Sequence, residues 1–110
     1  MNQQNTDQVV QEEMLDEIVD LEQYARDGKR PPLSRGYRIL INGKPYAVHT
    51  PLPTGREILE LAELLPPENY TLRVKIRGAR PRKVELDETV DLRQPGVEKF
   101  KALPRDQTEG

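Results

Sequence analysis

Between Thr6 or Asp7 and about Asp27 the chain contains no Pro or Gly, and Val10, Met14, Ile18, Leu21 and Ala25 recur three or four residues apart. That spacing predicts one apolar face of a helix, widened by Leu15 and Val19 and backed by a mostly acidic remainder. Gly28 stands where such a helix would stop, and Lys29-Arg30-Pro31-Pro32 cannot continue it. The stripe is too wide to be left in water. Three readings stay open: the helix packs on its own domain, is offered to a partner or a second copy, or is disordered in isolation.

Beyond a linker from Pro31-Pro32 to Gly36 the period changes. Tyr37-Arg38-Ile39-Leu40-Ile41 alternates, pauses at Asn42-Gly43 and resumes as Tyr46-Ala47-Val48-His49. Asn-Gly between two alternating runs predicts a β-hairpin, with Tyr37, Ile39, Ile41, Tyr46 and Val48 on its buried face. Thr54-Gly55-Arg56-Glu57 is a capping box, so a helix starts at Gly55. Its apolar stripe is Ile58, Leu61, Ala62 and Leu65, before Pro66-Pro67 stops it. Tyr70 to Arg77 alternates again, with Leu72, Val74 and Ile76 inward and Arg73, Lys75 and Arg77 outward. A short strand over Lys83–Leu86 follows, then an irregular stretch pinned by Val90 and Leu92. A last strand is expected over about Lys99 to Leu103, with Val97, Phe100 and Leu103 as its apolar positions.

Hairpin, helix, strand, short strand and last strand, with the first and last able to run parallel at the centre, specify an α+β β-grasp. The organisation is an acidic helical segment with its Pro/Gly linker over residues 1–36, the β-grasp domain over 37–104 and a polar tail over 105–110. The 110 residues leave room for one core, and with one Phe and no Trp that core is small and aliphatic.

Composition removes several functions. The absence of Cys excludes disulfides, thiolate metal sites and a cysteine nucleophile, and the single His49 excludes a His-based metal cluster. His49 reads as an exposed residue of the second strand. Asp87, Glu88 and Asp91 form a loose acidic group that a turn at a strand boundary explains better than a cation does. No nucleophile, base and orienting group can be assembled, so the chain is not expected to be an enzyme or to hold a cofactor. The N-terminus lacks the basic and apolar regions of a signal peptide, and no run reaches the length that spans a bilayer, so a cytoplasmic protein without a membrane partner is expected.

Charge is uneven: residues 1–36 hold 4 basic and 8 acidic groups, residues 37–110 hold 13 and 11. Arg73, Lys75, Arg77, Arg80, Arg82 and Lys83 put six cations into eleven residues without an acid. This strip is a solvated face, a surface for an acidic partner through Arg73, Lys75 and Arg77, or a dock for the acidic N-terminal helix. Nucleic acid is not expected, because the strip has no aromatic platform and the chain is net acidic.

The order of these motifs resembles the ubiquitin-like superfamily, and within it the bacterial multiubiquitin-type domain. The residues carrying the resemblance are Tyr37 to Gly43, Thr54 to Ala62, Val90-Asp91-Leu92, Gly96 to Phe100 and the tail from Leu103 to Gly110; Asp16 to Lys29 is similar to the segment that precedes such domains. The resemblance implies a modifier rather than a catalyst, encoded in bacteria beside an activating enzyme, a conjugating enzyme and a deconjugating metallopeptidase. It implies that Gly110 is the conjugation residue, adenylated at its carboxylate by the activating enzyme's ATP and joined to an amine of target proteins. It also implies that Arg105, Asp106, Gln107, Thr108 and Glu109 are read by those enzymes. The tail departs from ubiquitin, because Glu109 precedes a single Gly110 where ubiquitin has a Gly-Gly pair behind arginines. No internal repeat is present, and self-association is expected to run through Val10, Met14, Ile18 and Leu21.

Overall fold

The computed structural model describes residues 15–105, with side chains from Ile18 onward. Its elements are β1 (Leu15–Asp20), α1 (Leu21–Arg26), β2 (Ser34–Ile41), β3 (Lys44–Val48), α2 (Gly55–Leu61), β4 (Tyr70–Ile76), β5 (Arg82–Val84) and β6 (Val97–Pro104), with a 3-10 turn at Pro67–Asn69 before β4. Six strands form one mixed sheet. β2 and β6 run parallel at its centre, meeting at Ile41 and Phe100, with β3 antiparallel outside β2 and β4 then β5 antiparallel outside β6. The helix α2 packs on this sheet, and the short α1 also rests against β2 and β6: the fold is a β-grasp.

The expected long N-terminal helix is replaced over the described residues. Leu15–Asp20 is a strand running parallel to β2, and only Leu21–Arg26 is helical. Tyr37 and Arg38 pair with β1 on one side and β3 on the other, while Ile41 pairs with β3 and β6. β1 and β6 therefore share one edge of β2, β1 covering the first half and β6 the second. Without β1 that first half would present unpaired backbone groups, and satisfying them favours strand over the helical spacing of the sequence. Asp20 then caps α1 by accepting from the Glu22 amide at 3.1 Å. The helix ends at Gly28, φ +67°, where the Gly28 and Lys29 amides return to the Ala25 and Tyr24 carbonyls.

The core joins this segment to the grasp. Val19, Leu21 and Ala25 are buried together with Tyr37, Ile39, Ile41, Val48, Ile58, Leu59, Leu72, Val74, Val84, Val90, Leu92, Val97, Phe100 and Ala102. Removing one of the large members, such as Phe100, costs about 3–5 kcal/mol, against a total stability of about 5–15 kcal/mol for a domain of this size. Tyr37 also ties the linker down: its hydroxyl accepts from the Ser34 amide at 2.8 Å and donates to the Pro32 carbonyl at 2.7 Å. Burial pushes this phenol above its ordinary value.

The capping box forms as expected, with the Thr54 hydroxyl accepting from the Glu57 amide and the Glu57 carboxylate accepting from the Thr54 amide. Gly55 then donates to the Glu88 carbonyl, and a Cβ here would lie 2.4 Å from the Glu85 carbonyl oxygen. The helix is shorter than its apolar stripe suggests. Ala62 caps it and Glu63 turns left-handed at φ +60°, so Ile58 and Leu59 supply the buried face while Leu61 and Leu65 stand exposed. Tyr46 and Ile76 are half-buried rather than core. In β6 the inward positions are Val97, Phe100 and Ala102; Leu103 faces out, because a register shift between Lys75 and Ile76 moves the alternation.

Candidate functional site

The end of β6 delivers the chain to its tail, and three contacts fix that exit. Asn42, at φ +53° in the hairpin turn, extends the ladder with its side chain: its carboxamide nitrogen donates to the Ala102 carbonyl at 3.1 Å and its oxygen accepts from the Ala102 amide at 2.9 Å. Its own amide donates to Phe100. On the opposite side Tyr70 pairs with Pro104 in the β4–β6 ladder. The Arg105 guanidinium then turns back and donates to the Glu68 carbonyl at 2.6 Å. Arg105, expected in the tail, is thus the residue that clasps the tail's root to the turn before β4. Asp106, Gln107, Thr108, Glu109 and Gly110 lie outside the described residues.

The basic strip resolves into two parts. Cross-strand register places Arg73 opposite Lys101 and Lys75 opposite Lys99, with Lys83 on the other flank of Arg73. Paired residues of antiparallel strands share a face, so five cations form a ladder on the sheet's outer surface. Among the described residues the side chains of Arg73, Lys99 and Lys101 have no hydrogen-bond or ion-pair partner, while Lys75 donates only to the Ile76 and Ala79 carbonyls. Like charges placed directly opposite destabilise a sheet. Arg77 belongs elsewhere. Its guanidinium donates to the Ala25 carbonyl at 2.8 Å and to the Arg26 carbonyl, holding the C-terminal end of α1 where the helix dipole favours a cation.

Lys99 and Lys101 escaped the sequence reading, although Lys99-Phe100-Lys101 signals two cations flanking an inward aromatic. Their register against Arg73 and Lys75 needed the fold.

Of the residues expected to form an N-terminal interface, Leu21 is 2% exposed inside the domain's own core and is corrected to a packing residue. Ile18 is 51% exposed and rests beside Gly36. Val10 and Met14 lie outside the described residues. Asp20 pairs with Arg38 at 3.1 Å, and Glu22 lies within 3.9 Å of Arg26.

The acidic group after β5 is structural. Glu88 accepts from the Glu85 amide and from Arg82, which together hold its carboxyl below the usual range. Asp91 accepts from Arg93 at 2.9 Å and is likewise held down. Among the described residues no cluster of His or acids has the arrangement of a metal site, and His49 is an exposed residue bordering an apolar groove with Ala47, Ile58 and Leu61. No helix among the described residues is long and apolar enough to cross a membrane.

A β-grasp with parallel central strands and a tail leaving the last of them defines a ubiquitin-like protein. Comparison with protein families gives a match to the multiubiquitin model over residues 37–105, and the chain belongs to that family. No curated protein and no solved structure matches it. The match starts at Tyr37, so β1 and α1 are additions that share the domain's core without belonging to the matched region.

Proposed function

We propose that this chain is a bacterial ubiquitin-like modifier, joined to target proteins through Gly110. The observation that carries the reading is the multiubiquitin match over residues 37–105, which ends where β6 hands the chain to the tail at Arg105. The five residues beyond Arg105 span at most about 17 Å when extended, enough to bring a carboxylate into an enclosed enzyme site. Gly110 carries no Cβ to crowd that path.

In this reading the chain is cargo, and ATP is bound by its activating enzyme. The Gly110 carboxylate attacks the α-phosphorus of ATP and pyrophosphate leaves. A nucleophile of the activating enzyme then displaces AMP from the acyl adenylate. A conjugating enzyme passes the glycyl group to an amine of the target, which loses a proton as the amide forms, and a metallopeptidase hydrolyses the bond. These enzymes have to accept the acidic Glu109 before Gly110. Cytoplasmic residence, where ATP is available, follows from the same proposal. The test is incubation with a cognate activating enzyme and ATP, followed by detection of an adduct that requires Gly110.

A second reading is favoured by the unpartnered cations of Arg73, Lys99 and Lys101: an adaptor that binds an acidic protein through the sheet face and is never conjugated. Under it, loss of the tail leaves partner capture intact while neutralising the ladder abolishes it.

A further inference from the structure

The centre of the cationic ladder is a grid with a regular period. Arg73 stands opposite Lys101 and Lys75 opposite Lys99 on antiparallel neighbours, so two rungs of two cations lie one after the other on the sheet's outer surface. Along each strand the cations are two residues apart, about 6.8 Å, and the two strands are about 5 Å apart. Leu72, Val74, Phe100 and Ala102 between them are buried, which holds all four cations to the outer face. They wall a cavity of about 320 Å³ together with Pro81. Among the described residues no acid lines it. Glu85 stands at the margin, 3.8 Å from Lys83, and Glu98, the extra residue where β6 shifts register, lines a different cavity with Glu22, Arg26 and Arg77.

We propose that this grid binds an extended peptide of another protein in which acidic residues alternate with uncharged ones, one carboxylate seated in each rung. In an extended chain, residues two apart point the same way and lie about 6.8 Å from each other, the distance between the rungs. One acid then falls between Arg73 and Lys101 and its second neighbour between Lys75 and Lys99. Each carboxylate is bracketed by two cations. The Arg73 guanidinium offers a planar fork that fits a carboxylate, and the Lys75 ammonium, with two of its three hydrogens given to the Ile76 and Ala79 carbonyls, has one left to give. The rows are about 5 Å apart, the width of one extended chain and about half that of a helix. A nucleic acid would bring bases, and the cavity has no aromatic side chain on which they could stack.

Like charges facing each other across a sheet repel, and a carboxylate between them relieves that repulsion. Exposed ion pairs are individually weak and are screened by salt, so the complex is salt-sensitive and depends on both rungs being filled at once. We take from the adaptor reading, on which this proposal rests, that the sheet face meets an acidic protein, and add the conformation and spacing of the acids it selects. Binding here is independent of Gly110, and its failure leaves the modifier reading untouched.

The experiment is fluorescence anisotropy on the full chain with labelled probes. One is a short peptide in which glutamate alternates with threonine. A second has the same composition with two threonines between successive glutamates, so that in an extended chain its acids fall on opposite faces. A third is a single-stranded oligothymidylate. At an ionic strength of about 0.05 M the alternating peptide is expected to bind about tenfold more tightly than the spaced one, and at about 0.5 M its binding is expected to disappear. R73Q/K101Q, which empties one rung, is expected to weaken the alternating peptide about tenfold, and K99Q at the other rung to weaken it as well. K29Q/K44Q removes as many charges outside the grid and is expected to bind like the unaltered chain. Arg73, Lys99 and Lys101 are exposed, and an unchanged circular dichroism spectrum checks that their variants fold. Equal binding of the two peptides, lost for both in R73Q/K101Q, overturns the proposed spacing while the acidic-partner reading stands. If neither peptide binds the unaltered chain at low salt, whether because the chain's own acids fill the grid or because it holds none, the proposal and the adaptor reading both fall. Tighter binding of the oligothymidylate than of the alternating peptide overturns the proposal in favour of nucleic acid.

Discussion

Asn42 and Ala102 form a strand-like pair in which one partner is a side chain: the carboxamide donates to the Ala102 carbonyl and accepts from the Ala102 amide. The hairpin turn is thereby bonded to the last strand two residues before that strand ends. Asn is suited to both tasks, tolerating φ +53° and carrying a peptide-like amide. Substituting Ala forfeits both bonds and strains the turn, and is expected to lower stability by about 1–3 kcal/mol in denaturant unfolding. Asn42→Gly keeps the backbone freedom and loses only the amide, so it is expected to fall between wild type and Asn42→Ala. Equal stability of all three would show that the pair contributes nothing.

Tyr37→Phe tests the anchor beneath the linker. The Ser34 amide, in a fully buried residue, loses its acceptor at the Tyr37 hydroxyl. A loss of about 1–3 kcal/mol is expected, the penalty for an unsatisfied buried donor. The phenol's pKa is raised in the folded state, so the stability linked to it is complete below the unfolded value near 10.0 and is lost as pH rises through the folded value. The wild type is therefore expected to lose stability at high pH more steeply than Tyr37→Phe, measured by unfolding midpoints along a pH series.

At the acid end the sign reverses. Glu88 and Asp91 are depressed in the folded state, Glu88 chiefly by the Glu85 amide and Asp91 chiefly by Arg93. Their contribution is present above the ordinary carboxylate range and is lost as pH falls through the folded values. The double variant Glu88→Gln, Asp91→Asn is expected to show a shallower loss of stability than wild type between about pH 5 and pH 2. Parallel acid limbs would remove these two groups from the account.

Arg77 was expected on an outward partner surface and instead holds the end of α1. Arg77→Gln is expected to raise amide hydrogen exchange across Leu21–Arg26 while leaving β4 and β6 protected. An exchange pattern unchanged in α1 would show that packing of Leu21 and Ala25 suffices without the cation.

Much of this architecture was legible from local patterns. Asn42-Gly43 marked the hairpin, Thr54 and Glu57 marked the start of α2, and alternation assigned Tyr37, Ile39, Ile41, Leu72 and Val74 to the core. What failed were features decided by a distant partner. Leu15–Asp20 carries helical spacing, yet the open edge of β2 draws it into a strand. Leu103 is the larger apolar residue, but Val97 and Phe100 can both face inward only across an irregularity, after which Ala102 takes the buried place. The reason Gly55 follows Thr54 was also hidden. Only the approach of the Glu85 carbonyl shows that Gly55→Ala must displace backbone.

The site divides along the same line. The strip containing Arg73 and Lys75 could be read as a sequence of cations, but the ladder depends on β6 supplying Lys99 and Lys101 from across the sheet. Arg105 was visible as the tail's one base, whereas its clasp on Glu68 required the turn at Pro67–Asn69 to lie beside the end of β6.

The central claim, attachment through Gly110, is tested most directly by intact-mass analysis after incubation with a cognate activating enzyme, ATP and magnesium. The expected result is an enzyme species heavier by the mass of the modifier less one water, formed only with ATP and absent when Gly110 is deleted. An adduct that forms equally well without Gly110, or no adduct from the unaltered chain with an activating enzyme proven active on its own modifier, would contradict it.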